Sequence, residues 1–194
     1  MVKCILKEAL RMNIWHDMKP ERIRPEKFCV YVTIPKGSNK KYEFDTETGL
    51  LQLVKILYTA ACYPVNCGII PRTLGTDQKP MEVMILCQEI LDENTLVECC
   101  PVGILQTSKQ GLRTERILAI PIMDSANAMG VVEAEHLLQT VYEELKYFFG
   151  IYRGPDADEI EVRGGIDAMK AVQLIENSMK AYDRIRHDVN NQRN

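Results

Sequence analysis

The sequence predicts an α+β fold that is mainly β: a small barrel of short strands with two helices packed outside it. Two observations lead to this prediction. Short apolar or alternating segments, separated by Gly, Pro and polar turns, fill most of residues 28–121. Beyond that region the apolar residues follow helical spacing instead, first over 137–149 and then after Asp167. A chain of 194 residues is long enough to bury one substantial core, so a single domain is expected.

The predicted strands follow one another closely. Residues 28–34 alternate, which places Val30, Val32 and Ile34 on one face of the first strand. Pro101 and Gly103 predict a kink in a later strand, and residues 106–111 are typical of a polar turn. The remaining strands are predicted at 41–44, 50–57, 82–87, 95–105 and 113–121.

Two amphipathic helices complete the predicted domain. Gly150 suits the C-terminal cap of the first helix, and Asp167 suits the N-cap of the second. We expect an N-terminal arm at 1–27, one domain at 28–185 and a polar tail at 186–194. Within the arm, His16 and Asp17 could form an acid–base pair, but we favour a structural arm that packs Trp15 on the barrel.

Composition excludes several classes of function. The net charge of −3 argues against general nucleic-acid binding, and no apolar run is long enough to span a bilayer. The first residues lack the apolar segment of a signal peptide, so we expect a cytoplasmic protein. The seven cysteines lie mostly in apolar segments, which is typical of buried free thiols in a reducing compartment. Cys62 and Cys67 have no second pair at zinc-site spacing.

The most distinctive segment is residues 63–82, YPVNCGIIPRTLGTDQKPME. It is a polar turn that is closed by Pro80 and leads directly into the apolar strand at 82–87, and such a turn on a rigid strand suits a functional site. Asp77 and Glu82 could meet across the bend and hold a hard cation through oxygen ligands. Lys79 between them is unusual for a metal site.

This segment resembles the signature region of the family I (soluble) inorganic pyrophosphatases, in which Y-P-x-N-Y-G is followed by D-G-D-P-x-D. The resemblance extends from about Asn13 to Tyr152 and includes Ile34-Pro35, Lys41-Tyr42-Glu43 and Pro101-Val102-Gly103. It implies a five-stranded OB-like barrel with two main helices. It also implies a homo-oligomer, often a hexamer among bacterial members, that hydrolyses pyrophosphate with Mg²⁺.

The resemblance places basic and tyrosine donors at phosphate-binding positions. Donor side chains hold the two phosphoryl groups in such chemistry. Tyr63 is retained, but Cys67 stands where the family has the tyrosine of N-Y-G. The implied phosphate-binding residues are Lys41, Lys55, Arg116, Tyr152 and Arg153.

The acidic residues that the resemblance implies are only partly present. Asp77, Glu82 and Glu43 remain as possible metal ligands, and Asp77 and Tyr63 as possible catalytic residues. Lys79 replaces the aspartate that, with the metals, activates water in the family. Three more acid positions are occupied by Lys109, Thr114 and Thr33. An ammonium group repels a divalent cation, so Mg²⁺ binding is predicted to be weak or absent.

Three functions therefore remain open. The leading hypothesis is a catalytically impaired relative in which Lys79 and Lys109 join the other donors in a basic pocket for phosphate or pyrophosphate. These lysines could instead be solvated loop charges. The alternative is an active Mg²⁺-dependent pyrophosphatase that uses Asp77, Glu82 and Glu43. A module that binds single-stranded nucleic acid is a third class, which the acidic balance disfavours.

Overall fold

The computed structural model describes residues 12–57, 61–109, 112–122, 131–151 and 161–192. A short helix, α1 (Ile14–Asp17), precedes the strands, and two long helices follow, α2 (Val131–Ile151) and α3 (Ala168–Gln192). The strands are β1 (Ile23–Arg24), β2 (Lys27–Ile34), β3 (Lys40–Phe44), β4 (Leu51–Ile56), β5 (Asn66–Ile70), β6 (Met81–Ile85), β7 (Leu96–Lys109), β8 (Leu112–Pro121) and β9 (Glu161–Ile166).

Five of the strands close into a barrel. The sheet runs in the order β1-β2-β5-β6-β8-β7-β9, and β2 also pairs with β7, so β2, β5, β6, β8 and β7 form a ring. The closing pairs include Phe28 with Cys99 and Tyr31 with Leu96. All neighbours in the ring are antiparallel except β6 and β8, which are parallel. The predicted five-stranded barrel with two main helices is confirmed.

The apolar strand faces and the two long helices build the core. One cluster fills the barrel and extends to α3, with Phe28, Val30 and Ile117 fully buried together with Ile175 of the helix. A second cluster packs α2 against the outside of the barrel through Leu145 and side chains of the neighbouring strands. Burial of so much apolar surface is the main force that holds the helices to the sheet.

The hairpin of β3 and β4 forms a separate two-stranded sheet beside the barrel. Its register shifts between Lys41 and Tyr42, which marks an irregularity in the pairing. The turn at 45–49 is closed by a hydrogen bond from the Gly49 N–H to the Asp45 carbonyl oxygen, and Gly49 has a φ of 76° that favours glycine. The hairpin brings Lys41 and Glu43 to the mouth of the barrel.

The N-terminal segment is anchored on the barrel and on α3. The Trp15 indole N–H donates to the carbonyl oxygen of Thr73 over 2.8 Å. His16 Nδ1 lies 2.8 Å from the hydroxyl of Tyr182, and burial lowers the pKa of this histidine. Asp17 accepts a hydrogen bond from the backbone N–H of Asn13. These contacts confirm the predicted packing of Trp15 and give His16 and Asp17 structural partners.

The ends of one strand and of both long helices differ from the predicted ones. Residues 106–108 are not a turn, because β7 continues through them and is paired on both sides, with β8 and with β9. Gly150 lies inside α2, which ends at Ile151, so it is not a cap beyond the helix. Helix α3 continues to Gln192, past the predicted domain end at residue 185. Asp167 does cap this helix, because its side chain accepts from the Lys170 N–H.

Within the described part of the chain, no helix is long and apolar enough to cross a membrane.

Candidate anion-binding cleft

A cleft of about 170 Å³ opens between the β3–β4 hairpin and the mouth of the barrel. Strands β2, β5, β6, β7 and β8 supply its floor, and Phe149 of α2 closes one side. Three cationic side chains line it: Lys41, Lys79 and Arg116. Glu43 and Glu82 are the two acidic residues in the described lining. Charged groups from distant parts of the sequence are therefore concentrated at one end of the barrel.

Glu43 lies between two ammonium groups. Lys41 Nζ is 2.6 Å from Glu43 Oε1, and Lys79 Nζ is 2.8 Å from Glu43 Oε2. These hydrogen bonds lower the pKa of Glu43 to about 2, so the carboxylate is charged at neutral pH. The Lys79 side chain is 56% exposed, and it spans from the loop at 71–80 to the hairpin. Each oxygen of Glu43 thus already binds a cation.

Arg116 on β8 is fixed by three contacts. Its Nε lies 2.6 Å from Glu82 Oε2, and one terminal nitrogen donates to the hydroxyl of Thr107 over 2.9 Å. The guanidinium carbon also lies 5.3 Å from the centre of the Phe149 ring, which is a cation–π distance. The Arg116 side chain is only 18% exposed. Glu82 is therefore paired with a guanidinium rather than presented alone.

Cys67 contributes a neutral thiol to the cleft wall. It lies on β5 opposite Met84 of β6, and both side chains line the cleft. Burial, together with the nearby charge of Glu82, raises the pKa of the thiol to about 12. Thr33 lines the same region, and its hydroxyl donates to the carbonyl oxygen of Cys67 over 3.3 Å. This part of the cleft therefore presents no ionised side chain at neutral pH.

Comparison with known proteins identifies the family. The family model described as inorganic pyrophosphatase matches residues 30–183.

The chain belongs to the inorganic pyrophosphatase family.

A soluble inorganic pyrophosphatase 2 from Chlamydomonas reinhardtii is 32% identical over 87% of this chain and 87% of that protein. A soluble inorganic pyrophosphatase from Zea mays is 30% identical over 94% of this chain and 85% of its own length. Among solved structures, an inorganic pyrophosphatase from Helicobacter pylori aligns with a TM-score of 0.74 at 28% identity, covering 86% of this chain and 99% of the other.

The cleft brings together most of the residues predicted from the pyrophosphatase resemblance. Besides the cations and the two glutamates, Tyr63 lines it, as do Cys67, Thr33 and Thr114. Lys55 pairs with Lys41 across the hairpin and is not part of the described lining. Three further predicted residues cannot be placed in the cleft, because the Lys109 side chain, Tyr152 and Arg153 lie outside the described part of the structure.

Asp77 does not join the two glutamates in the described lining of the cleft. It is exposed, and its Oδ1 accepts a hydrogen bond of 3.1 Å from the backbone N–H of Lys79. The carboxylate therefore stabilises its own turn, in which Gln78 has a φ of 62°. The role of Asp77 as a metal ligand stays a prediction. A meeting of Asp77 with Glu82 across the bend also remains a prediction.

The residues described here do not fit the Mg²⁺ ions that the pyrophosphatase resemblance implies. Mg²⁺ is bound through carboxylates and water, and it needs ligands with free oxygens. Both oxygens of Glu43 bind lysine ammonium groups, and Glu82 pairs with Arg116. Over the described ranges, no group of three or more His, Cys, Asp or Glu side chains is placed to hold a metal ion. The described partners of these two carboxylates are cationic side chains: Lys41, Lys79 and Arg116.

Sequence reasoning missed the apolar part of the cleft. Phe149 was assigned to the apolar stripe of its helix, and Met84 to a buried strand, and both assignments are correct. Their edges nevertheless face the cleft, together with Tyr42 and Phe44 of the hairpin. Helical or strand periodicity indicates that a side chain is buried, but it does not indicate which atoms remain accessible from a cleft.

Proposed function

We propose that this member of the inorganic pyrophosphatase family binds phosphate or pyrophosphate without Mg²⁺ and hydrolyses pyrophosphate poorly or not at all. The observation that supports the proposal most directly is the contact between Lys79 Nζ and Glu43 Oε2. The ammonium group of Lys79 stands where the resemblance places a water-activating aspartate. It also binds Glu43, one of the acidic residues that remain in the cleft. Lys41, Lys79 and Arg116 would hold the anion through charge-assisted hydrogen bonds.

The impairment would arise at two steps. Hydrolysis of pyrophosphate requires metal ions that neutralise the substrate and lower the pKa of the attacking water. Lysine ammonium groups can neutralise an anion, but they cannot lower the pKa of a bound water in this way. A general base is also required. Glu43, with its pKa near 2, is too weak a base for that role at neutral pH.

The test combines an activity assay with a binding assay. Phosphate release from pyrophosphate is measured with millimolar Mg²⁺ and then Mn²⁺, for the wild type and for Lys79→Asp. Binding of inorganic phosphate is measured by calorimetry in EDTA. We expect little or no turnover by the wild type, a gain of turnover in Lys79→Asp, and phosphate binding that EDTA does not abolish.

A matched variant separates the cleft from general charge effects. Lys79→Gln should weaken phosphate binding in EDTA, whereas Lys180→Gln should not, because Lys180 lies on α3 and pairs with Glu176 away from the cleft. Equal losses in the two variants would point to nonspecific electrostatics. Phosphate binding that requires Mg²⁺ would contradict the proposal.

The second candidate is an active Mg²⁺-dependent inorganic pyrophosphatase. It is favoured by membership of the family and by the retained carboxylates of Asp77, Glu82 and Glu43. For it to operate, Lys79 would have to leave Glu43 when metal and substrate enter. Robust turnover that Asp77→Ala abolishes would establish this function. A structure soaked with Mn²⁺ that has no metal near Asp77 would count against it.

The resemblance also supports a cytoplasmic homo-oligomer. Light scattering coupled to size-exclusion chromatography measures the molar mass in solution, and a mass equal to that of one 22.2 kDa chain would refute this part of the proposal.

A further inference from the structure

The cleft has an apolar wall beside its cations, formed by the accessible edges of side chains that are mostly buried. Ile34, Tyr63, Cys67, Met84 and Phe149 all line it. The thiol of Cys67 stays protonated, so it adds no charge to this wall. Inorganic phosphate and pyrophosphate have no apolar surface that could gain from contact with such a wall. A ligand that carries an organic group would gain from burying it there, since apolar surface removed from water stabilises binding.

The charge of the cleft favours a ligand with a small negative charge. Among the described lining residues, three cations face two carboxylates, which leaves one positive charge in excess. Pyrophosphate carries roughly three negative charges near neutral pH, and without a metal ion these residues would leave most of that charge uncompensated. A phosphomonoester carries at most two. The charge balance is thus closer to the monoester than to pyrophosphate.

The cations and the wall are also arranged for a ligand with two parts. Lys41 and Lys79 bind Glu43 from the hairpin and loop side of the cleft. An incoming phosphoryl group would therefore bind the same two lysines, either beside the Glu43 carboxylate or in its place. Arg116 is held deeper, against the face of Phe149. A guanidinium beside an aromatic ring offers a flat surface on which an organic ring can pack. Hydroxyl groups of Thr33 and Thr114 supply neutral hydrogen-bonding partners.

We propose that the cleft binds an organic phosphomonoester, with its phosphoryl group on Lys41 and Lys79 and a compact ring against Cys67, Met84 and Phe149. The inference rests on the proposed metal-free anion binding and extends it to a class of ligand. Cys67 and Thr114 belong to the same arrangement, because they stand where the family resemblance implies a tyrosine and an acidic residue, and both make the wall less polar.

The experiment compares three anions on the wild-type protein in EDTA: inorganic phosphate, methyl phosphate and phenyl phosphate. Methyl and phenyl phosphate share the monoester headgroup and differ in apolar area. Burial of much of a phenyl ring predicts that phenyl phosphate binds at least tenfold tighter than methyl phosphate. Calorimetry gives both dissociation constants.

Two variants locate the ring. In Phe149→Leu, the ratio of phenyl to methyl phosphate affinity should fall at least threefold, because the ring loses its aromatic neighbour. Cys67→Ser is a smaller change that adds a polar group to the wall, and it should lower the same ratio if Phe149→Leu does not fold. Circular dichroism verifies folding of each variant. A ratio that stays at the wild-type value in a folded variant would overturn the placement.

The outcomes separate the two proposals. If inorganic and methyl phosphate bind and phenyl phosphate binds no tighter than methyl phosphate, the inference is wrong and the proposed function stands. If none of the three binds in EDTA, the proposed metal-free anion site is itself wrong.

Discussion

Glu43 is the carboxylate of the cleft that two lysines share. A carboxylate with free oxygens attracts Mg²⁺ and repels phosphate, whereas the same carboxylate between two ammonium groups does neither strongly. Here both oxygens accept hydrogen bonds from lysines, at 2.6 and 2.8 Å. The competition between Glu43 and an incoming anion for those lysines is the property that mutation can measure.

Replacing Glu43 by glutamine should tighten the binding of inorganic phosphate in EDTA. The change removes a negative charge that competes for Lys41 and Lys79. A unit charge at about 4 Å is worth about 1 kcal/mol in water, so the expected gain in affinity is roughly fivefold. Isothermal titration calorimetry measures it. Glu47→Gln in the exposed hairpin turn is the control and should change the affinity little. Weaker phosphate binding in Glu43→Gln would contradict this competition, because it would mean that the carboxylate holds Lys41 and Lys79 in place for the ligand.

The protonation of Glu43 reports directly on its lysine contacts. Because its pKa in the folded protein is lowered to about 2, the charged form contributes stability above the ordinary carboxyl value near 4.5. That contribution is lost as the pH falls through about 2. A titration of the Glu43 side-chain carbon by NMR should have its midpoint well below 4, and Lys79→Gln should raise it. A midpoint that does not move in the variant would mean that Lys79 is not in contact with Glu43 in solution.

At the scale of the elements, the pairing of β2 with β5 requires a glycine. A Cβ atom on Gly68 would lie 2.5 Å from both the carbonyl oxygen of Tyr31 and a methyl group of Val30. The backbone atom cannot move without disturbing the strand pair. The N-x-G part of the signature therefore has a structural reason that is independent of catalysis.

Gly68→Ala should destabilise the protein by about 1–3 kcal/mol, the usual cost of overpacking a tight interior. Gly150→Ala is the matched control. Among the described residues, nothing lies within 4 Å of a Cβ at Gly150, which is in the last turn of helix α2, so alanine there should stabilise by up to about 0.5–1 kcal/mol. Urea unfolding gives both free energies. Equal effects of the two substitutions would refute the steric argument for Gly68.

The strand pattern could be predicted where the segment itself is apolar or alternating, and it failed where tertiary pairing decides. Alternation indicated β2, and the apolar run before Gln88 indicated β6. Strand β5 was missed because its residues belong to a segment rich in turn formers, Pro64, Gly68 and Pro71 among them. The polar end of β7 was taken for a turn, although two neighbouring strands pair with it there. Local propensity contains no information about such partners.

At the scale of the whole molecule, the sequence identified the composition of the cleft better than its geometry. The motif at 63–82 indicated a segment that contributes several residues to the cleft. The replacement of an acidic residue by Lys79 could also be read from the sequence. The pairing of Lys79 with Glu43 was not, because it joins residues 36 positions apart through a side-chain contact. Nor could the sequence place Asp77 outside the lining while Glu82 lies within it.

The single tryptophan should report on the unfolding of the entire domain. Trp15 donates a hydrogen bond to the loop after β5, and the adjacent His16 contacts Tyr182 of α3. The N-terminal segment therefore links the barrel to the last helix. Tryptophan fluorescence and far-UV circular dichroism should therefore give coincident urea transitions. A fluorescence transition at lower urea than the circular dichroism transition would mean that this segment detaches before the barrel unfolds.

Closure of the barrel between β2 and β7 has a consequence for how the chain folds. Phe28 pairs locally with Ile23 but meets its closing partner only at Cys99, and β6 gains its parallel neighbour only when β8 has been made. No consecutive pair of strands can complete the ring, so the loop-closure entropy of a long segment must be overcome before the closing contacts form. Chains dominated by such distant pairings fold slowly, in milliseconds to seconds. On the ribosome, β2 gains its neighbour β7 only after residues 96–99 have emerged, and the ring is complete only when β8, which ends at Pro121, has followed.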